Sequence, residues 1–339
     1  MQHIIIIVNP MVALYLLHLI ESVYKSEDQI KIVEFYQKPL LNSKQKQQLH
    51  EKYSDYVKIE SYICKPYSFG YFFHLRKELK KLRELDSMGG RACFYIAQPN
   101  HILTNYVYFS LNGSDRIDIH LIPDGIANYY AVSVSSYKKK MILKKIYSLA
   151  LGFNYKMYYG DYLGIDYGIY KSVYYLNIKS KYIPKFWNQI KINMPITIPN
   201  KSGVDLLILG QDVAKGSEDL YLKIVSLILK INNSFRIDYR PHPAEIVNKE
   251  LEKLFEKNNV KILKNTGIAE NITCKYAKCV GFLSSALFNT ALLCGNWVRI
   301  ESYYGDFIKD FIPMLTDKSI IELNHLFAKV GIKVTIIDE

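Results

Sequence analysis

FRIDYRPHPAE, residues Phe235–Glu245, is the stretch whose reading decides the fold. Phe235, Ile237 and Tyr239 alternate with polar residues, the period of a strand that buries one face. Arg240-Pro241-His242-Pro243 then stops it. Each proline fixes its own φ and pushes the residue before it into an extended conformation, so His242 is held between two stiff peptides at a strand's C-terminal edge. Open α/β sheets bind their ligands at that edge. The histidine has two readings, a ligand-facing group or a hydrogen-bonding surface residue of a sharp turn, and its company in the chain must choose between them.

Upstream of this stretch, Val204–Gln211 (VDLLILGQ) is a buried strand that closes on Gly210-Gln211, and a helix is expected over Glu218–Ile231. Downstream come a charged helix over Ala244–Asn258, a strand at Val260–Leu263, a helix near Ile268–Tyr276, a strand at Lys278–Leu283 ending on Ser284-Ser285, and a helix over Ala286–Cys294. Trp297–Glu301 is expected to be the last strand. Strands that alternate with helices make a parallel α/β sheet.

The N-terminal half repeats the pattern. His3–Val8 is an uninterrupted β-branched run, as in a strand buried on both faces. Asn9-Pro10 turns it into a helix over Met11–Ser26. Strands are expected at Ile30–Phe35, Val57–Cys64, Ala92–Ala97 and Ile117–Ile122, with helices over Lys44–Tyr53 and Phe72–Leu85. Lys179–Ser202 loses periodicity and gathers Pro184, Pro195 and Pro199, the composition of a linker. The whole reads as two βαβ domains, and the cleft between such domains is the default site.

Composition bounds the function. At 339 residues and 49% hydrophobic, the chain is globular and long enough for two domains. Its formal charge of +12 favours an anionic partner, although 29 tyrosines beside many Lys, Ile and Asn also fit the codon usage of an AT-rich genome. Five cysteines without CxxC spacing read as reduced core residues of a cytosolic protein, with no zinc site. The apolar N-terminus lacks a basic lead and a small-residue cleavage site and is broken by Asn9-Pro10, so neither a signal peptide nor a membrane span is expected. Ser136–Leu151 (SYKKKMILKKIYSLAL) is basic and amphipathic: a solvated helix face, or a patch that docks on anionic lipid.

Three features fall at strand ends. His120-Leu-Ile-Pro-Asp124-Gly125 presents a carboxylate just before a glycine, where a ligand can approach closely, and also spells a Pro-Asp-Gly turn. His242 is the second. Ser284-Ser285, at the start of a helix, offers hydroxyls and N–H groups to a phosphate, with Ser285 as a plain N-cap the other reading. In this order, with strand-Gly210-Gln211 between the first and second, the motifs resemble those of the bacterial GT-B sialyltransferases of the lipooligosaccharide sialyltransferase and capsular polysialyltransferase type. Those enzymes share an acidic-acidic-Gly motif, a His-Pro motif and a Ser/Thr pair.

The resemblance implies a GT-B fold of two Rossmann-like βαβ domains facing a central cleft. It implies an acceptor-binding domain over residues 1–180 that carries the catalytic base, a linker over 181–202, and a donor domain over 203–339 whose last helix is expected to pack back on the first domain. The activity implied is inverting, metal-independent transfer of sialic acid or a related nonulosonic acid from a CMP donor to a lipooligosaccharide, O-antigen or capsule. Asp124 becomes the base, and His242 is the second catalytic residue. Gly210, Gln211, Arg240, Pro243, Ser284 and Ser285 hold the donor, while Asn9 and Gly125 lie on the acceptor side. Pro123 stands where the family has a first acidic residue, so Asp118 and His120 are the stand-ins for the base. The implied enzyme needs no cofactor or metal and binds no nucleic acid. The cysteines and the N-terminus place the protein in the cytoplasm, and the basic stretch Ser136–Leu151 is what would hold it peripherally at the inner face of the membrane on an anionic lipid surface. A second resemblance, to polyol-phosphate transferases that use CDP-glycerol in teichoic-acid synthesis, rests on the same Arg-Pro-His-Pro and Ser-Ser. Those enzymes usually place an acidic residue just before the serine pair, where this chain has Gly281-Phe282-Leu283. A non-enzymatic nucleic-acid binder would need an aromatic-interleaved basic stripe or a known module, and the sequence has neither.

Overall fold

The computed structural model describes residues 1–25, 28–53, 55–87, 89–130, 138–157, 169–176, 178, 188–193, 205–243, 245–263, 269–313 and 315–337. The chain forms two compact units, Met1–Asp124 with Ser133–Met194 and Gly125–Val132 with Pro195–Glu339.

The first unit is built on a seven-stranded sheet in which every pairing is parallel. Its strands are β1 (Gln2–Ile7), β2 (Gln29–Tyr36), β3 (Val57–Ile63), β4 (Ala92–Ile96), β5 (Ile117–Leu121), β6 (Ser172–Tyr175) and β7 (Gln189–Lys191), in the spatial order β3-β2-β1-β4-β5-β6-β7. Helices α1 (Pro10–Val23), α2 (Ser43–Tyr53), α3 (Phe69–Ser87), α4 (Ile102–Ser110) and α5 (Lys138–Ala150) accompany it. Ile4 to Ile7 are buried, as a central strand covered on both faces requires. Pro10 opens α1, where its missing N–H costs nothing, and the Asn9 side chain caps the helix by accepting from the Val12 amide at 3.1 Å.

The second unit has its own six-stranded parallel sheet of β8 (Asp205–Leu209), β9 (Arg236–Arg240), β10 (Lys261–Ile262), β11 (Lys278–Gly281), β12 (Arg299–Tyr304) and β13 (Lys333–Ile336). The order β10-β9-β8-β11-β12-β13 is that of a dinucleotide-binding sheet, reversing direction between β8 and β11. Its helices are α6 (Glu218–Ile231), α7 (Lys249–Lys257), α8 (Glu270–Thr273), α9 (Ser285–Cys294), α10 (Ile308–Phe311) and α11 (Asp317–Lys329).

Several elements differ from the sequence expectation. Helix α4 is missing from it, because ILTNYVYFS is buried almost throughout and rich in β-branched and aromatic residues, which hides the helical period. Strand β7 falls within the stretch read as linker, most of which lies outside the described residues. Trp297–Glu301 is not the last strand: Gly295–Trp297 is a short 3-10 turn, β12 begins at Arg299, and β13 follows α11. The cysteines are not all reduced, since Cys274, at the end of α8, is bonded to Cys294, the last residue of α9, with Cα atoms 5.9 Å apart. Sequence spacing carried no sign of it because the partners meet only once α8 and α9 pack. Cys64, Cys93 and Cys279 remain free thiols. No helix among the described residues is long and apolar enough to cross a membrane.

Candidate active site

In the second unit, three neighbouring strands end together. β8 pairs with β9 on one side and β11 on the other, so Gly210-Gln211, Arg240-Pro241-His242-Pro243 and Ser284-Ser285 all follow the carboxyl ends of adjacent strands. The sheet reverses direction here, which places all of them beside the position where doubly wound sheets take their ligands. The Gly210 amide donates to the Arg240 carbonyl at 2.8 Å and fastens the first two loops to each other.

A polar relay beneath these loops was not foreseen in the sequence. The Gln211 amide donates to the Tyr221 hydroxyl at 3.1 Å, Tyr221 and Tyr239 share a hydroxyl contact of 2.7 Å, and the Tyr239 hydroxyl donates to Glu245. The other oxygen of Glu245 accepts from the His242 amide at 2.8 Å, and the Glu245 amide donates back to the His242 carbonyl at 3.0 Å. His242 is therefore fixed through its backbone, and the residue stays partly open to solvent. Burial lifts the Glu245 carboxyl to about 7. Partial burial also lowers the His242 pKa, against the nearby Asp212 and with the nearby Arg240, so the ring is neutral at neutral pH with one N–H to donate. The signal for the relay lay in the spacing: Tyr239 and Glu245 flank the His-Pro turn. Gly210 suits the same network, because a Cβ there would crowd the Glu245 carboxylate and the Tyr239 hydroxyl and make them shift.

Arg240 is half-buried and donates to the Pro241 carbonyl at 3.1 Å; its burial lowers its pKa. At the start of α9 the cap is Ser284, one residue earlier than the N-cap reading of Ser285. Its hydroxyl oxygen accepts from the Ala286 amide at 3.2 Å, and Ser285 is the exposed first residue of the helix. A helix N-terminus with its N–H groups and one exposed hydroxyl is suited to an anion.

In the first unit, Asp124 closes the segment after β5. The Asn9 amide donates to its carboxylate, and the Tyr15 hydroxyl donates to the Pro123 carbonyl at 2.5 Å. Asn9 uses both ends of its side chain, capping α1 with the oxygen and holding Asp124 with the nitrogen. Burial lifts the Asp124 carboxyl to about 7, although part of the residue stays open to solvent. Gly125 follows with φ 83, a left-handed value that favours glycine, and from it the chain enters the second unit. Of the two stand-ins, His120 is buried, contacts Ser172 at 2.6 Å, stacks on Tyr95 and has its pKa pushed down to about 4 by burial. Asp118 lies two residues earlier on β5. Among the described residues, Cys93, Asp118 and His120 also form the one group of side chains close enough to share an ion, their ligand atoms within 4.8 Å of one another.

The chain matches the model of glycosyltransferase family 52 over residues 42–300, well over half its length. It belongs to that family. The protein is thus a sialyltransferase-like glycosyltransferase. Its fold is GT-B, shared with the GT-B domain of a Photobacterium damselae sialyltransferase at 11% identity and a TM-score of 0.52, covering 99% of this chain and 100% of that one. Medicago truncatula UGT71G1, solved with UDP-glucose, is similar at 10% identity and a TM-score of 0.53, covering 98% of this chain and 84% of that one. No curated protein matches the sequence. The matched segment of this glycosyltransferase contains Asp124, His242, Ser284 and Ser285.

Proposed function

We propose that this glycosyltransferase moves sialic acid, or a related nonulosonic acid, from a CMP donor onto a surface glycan, with inversion and without a metal. The observation that carries the reading is Asp124, a carboxyl at a strand's end whose burial lifts its pKa to about 7 and whose orientation Asn9 fixes. A general base works best when its pKa lies near the working pH. In the proposed reaction the acceptor hydroxyl oxygen bonds to the anomeric carbon as that carbon's bond to the CMP phosphate breaks. Asp124 takes the hydroxyl proton, and the bonding electron pair leaves with the phosphate. The negative charge gained there calls for donors that are already in place. His242 supplies a ring N–H, and Ser284 and Ser285 with the α9 N-terminus supply hydroxyl and amide donors. A single phosphate held in this way needs no divalent ion.

The acceptor in this reading is a lipooligosaccharide, O-antigen or capsule intermediate at the inner face of the cytoplasmic membrane, and nucleic acid has no part in it. The test is release of CMP by the purified protein from CMP-sialic acid and, separately, from CDP-glycerol, each with excess EDTA and no acceptor. Release from the sialic acid donor alone is expected. Release from CDP-glycerol alone would move the protein to polyol-phosphate transfer, and dependence on added metal would overturn the metal-free step.

A further inference from the structure

Helix α5 carries its amphipathicity the wrong way round for a globular protein. Met141 and Ser148 are buried, Tyr147 packs against Phe72 at 5.6 Å and Tyr67 at 5.6 Å, and Lys144 donates to the Asn100 carbonyl at 2.7 Å. Ile142, Leu143, Ile146 and Leu149 face outward, with Ile146 at 63% of full exposure. The neighbouring start of α3 continues the pattern with Phe69, 80% exposed, and Phe73, its ring 4.6 Å from that of Phe69. A helix in contact only with water turns such residues inward. Six large apolar side chains shown outward on two adjoining helices mark a surface that something covers.

We propose that this face of α3 and α5 docks on an anionic lipid bilayer. Charge selects that occupant. Neither α5 nor residues 69–77 of α3 contains an aspartate or glutamate, whereas Lys145, Arg76 and Lys77 are exposed. A second copy would bring this face against itself across a two-fold axis and set lysines against lysines. Anionic headgroups instead pair with the lysines while the apolar side chains enter the boundary between headgroups and acyl chains. The surface gives the proposed enzyme a means of reaching a membrane-anchored acceptor, but its evidence and its test do not depend on which sugar is transferred.

The test is flotation of the full chain with phosphatidylcholine vesicles, with and without phosphatidylglycerol. Wild type is expected to float with the anionic vesicles and to be released as salt rises. The double variant Ile146→Glu/Leu149→Glu is expected to bind at least about tenfold more weakly. Lys77→Glu/Lys145→Glu, which leaves the apolar residues in place, should also weaken binding and flatten its salt dependence. Thermal melts followed by circular dichroism serve as the folding control for both variants, independent of the donor, and none of the four residues belongs to the site. Equal flotation of wild type and both variants would overturn the proposal. So would a wild type that floats with neither vesicle, or a wild-type dimer that the apolar variant turns into a monomer with no change in flotation.

Discussion

Asp124 shows how one side chain's surroundings set its chemistry. Its carboxyl rises from 3.8 to about 7 because burial penalises the charged form, while the Asn9 amide, a donor to the carboxylate, works in the opposite sense. A base must be unprotonated to act, so transfer should fail on the acid side: kcat/KM is expected to rise as pH climbs through about 7 and then level off. Asn9→Ser separates the two roles of that residue, since serine still caps α1 but cannot reach Asp124 with an amide. The acid limb of the pH profile in Asn9→Ser is expected to move to higher pH, because the charged form has lost a donor. A profile that stays in place would remove Asn9 from the positioning of the base.

At the scale of elements, the loop after β9 is held by the relay that runs through Tyr221, Tyr239 and Glu245. Glu245→Gln should leave that loop in place, because the glutamine oxygen can accept from the His242 amide while its amide nitrogen keeps the contact with the Tyr239 hydroxyl, with the donor reversed from the Tyr239-to-Glu245 bond of the wild type. Glu245→Ala removes both contacts, and a loop displaced by about 1 Å is expected to lose roughly 100-fold in kcat/KM. Gly210→Ala pushes a methyl into the same carboxylate and should fall between the two. The raised pKa also fixes a direction for stability. From 4.5, the ordinary value, to about 7, the folded chain holds a proton at Glu245 that the unfolded chain has released. Stability from this group is full below about 4.5 and is lost as pH rises through about 7. Thermal melts across that window should show wild type falling relative to Glu245→Gln; parallel curves would mean that the carboxyl is not buried as described. The strands that build these loops were legible in the sequence because buried parallel strands are short apolar runs closed by glycine or proline. The relay was not, since Tyr239 reads as core and Glu245 as the start of a charged helix, and only folding brings their ends together. Glu78 was hidden for the same reason. It sits on the charged-looking face of α3 yet is buried, taking Lys31, Lys81 and the Tyr62 hydroxyl at 2.6 Å each.

Across the whole molecule, the chain passes between the two units more than once. It leaves the first unit after Asp124, gives Gly125–Val132 to the second, returns, and leaves again at Pro195. The borrowed segment includes the 3-10 turn Gly125–Asn128 and places Tyr129 5.2 Å from Phe288 of α9, the helix that Ser284 caps. A glycine with positive φ directly after the carboxylate is the part of this that the sequence displayed; the return of the segment to α9 depends on contacts far apart in the chain and left no local mark. A fragment over residues 195–339 keeps the six strands and Cys274–Cys294 but lacks Tyr129, so α9 loses an aromatic partner, a loss of about 3–5 kcal/mol when a buried aromatic is truncated. Urea unfolding followed by circular dichroism is expected to give the fragment a clearly lower midpoint than the full chain, and Tyr129→Ala in the full chain should move its midpoint in the same direction. If the fragment melts like the full chain and the tyrosine variant like wild type, α9 stands without the borrowed segment, and the crossing after Asp124 serves connection alone. If both fall, the segment that follows Asp124 in the chain braces the helix proposed to receive the leaving phosphate, and its aromatic contact with Phe288 is part of what holds α9.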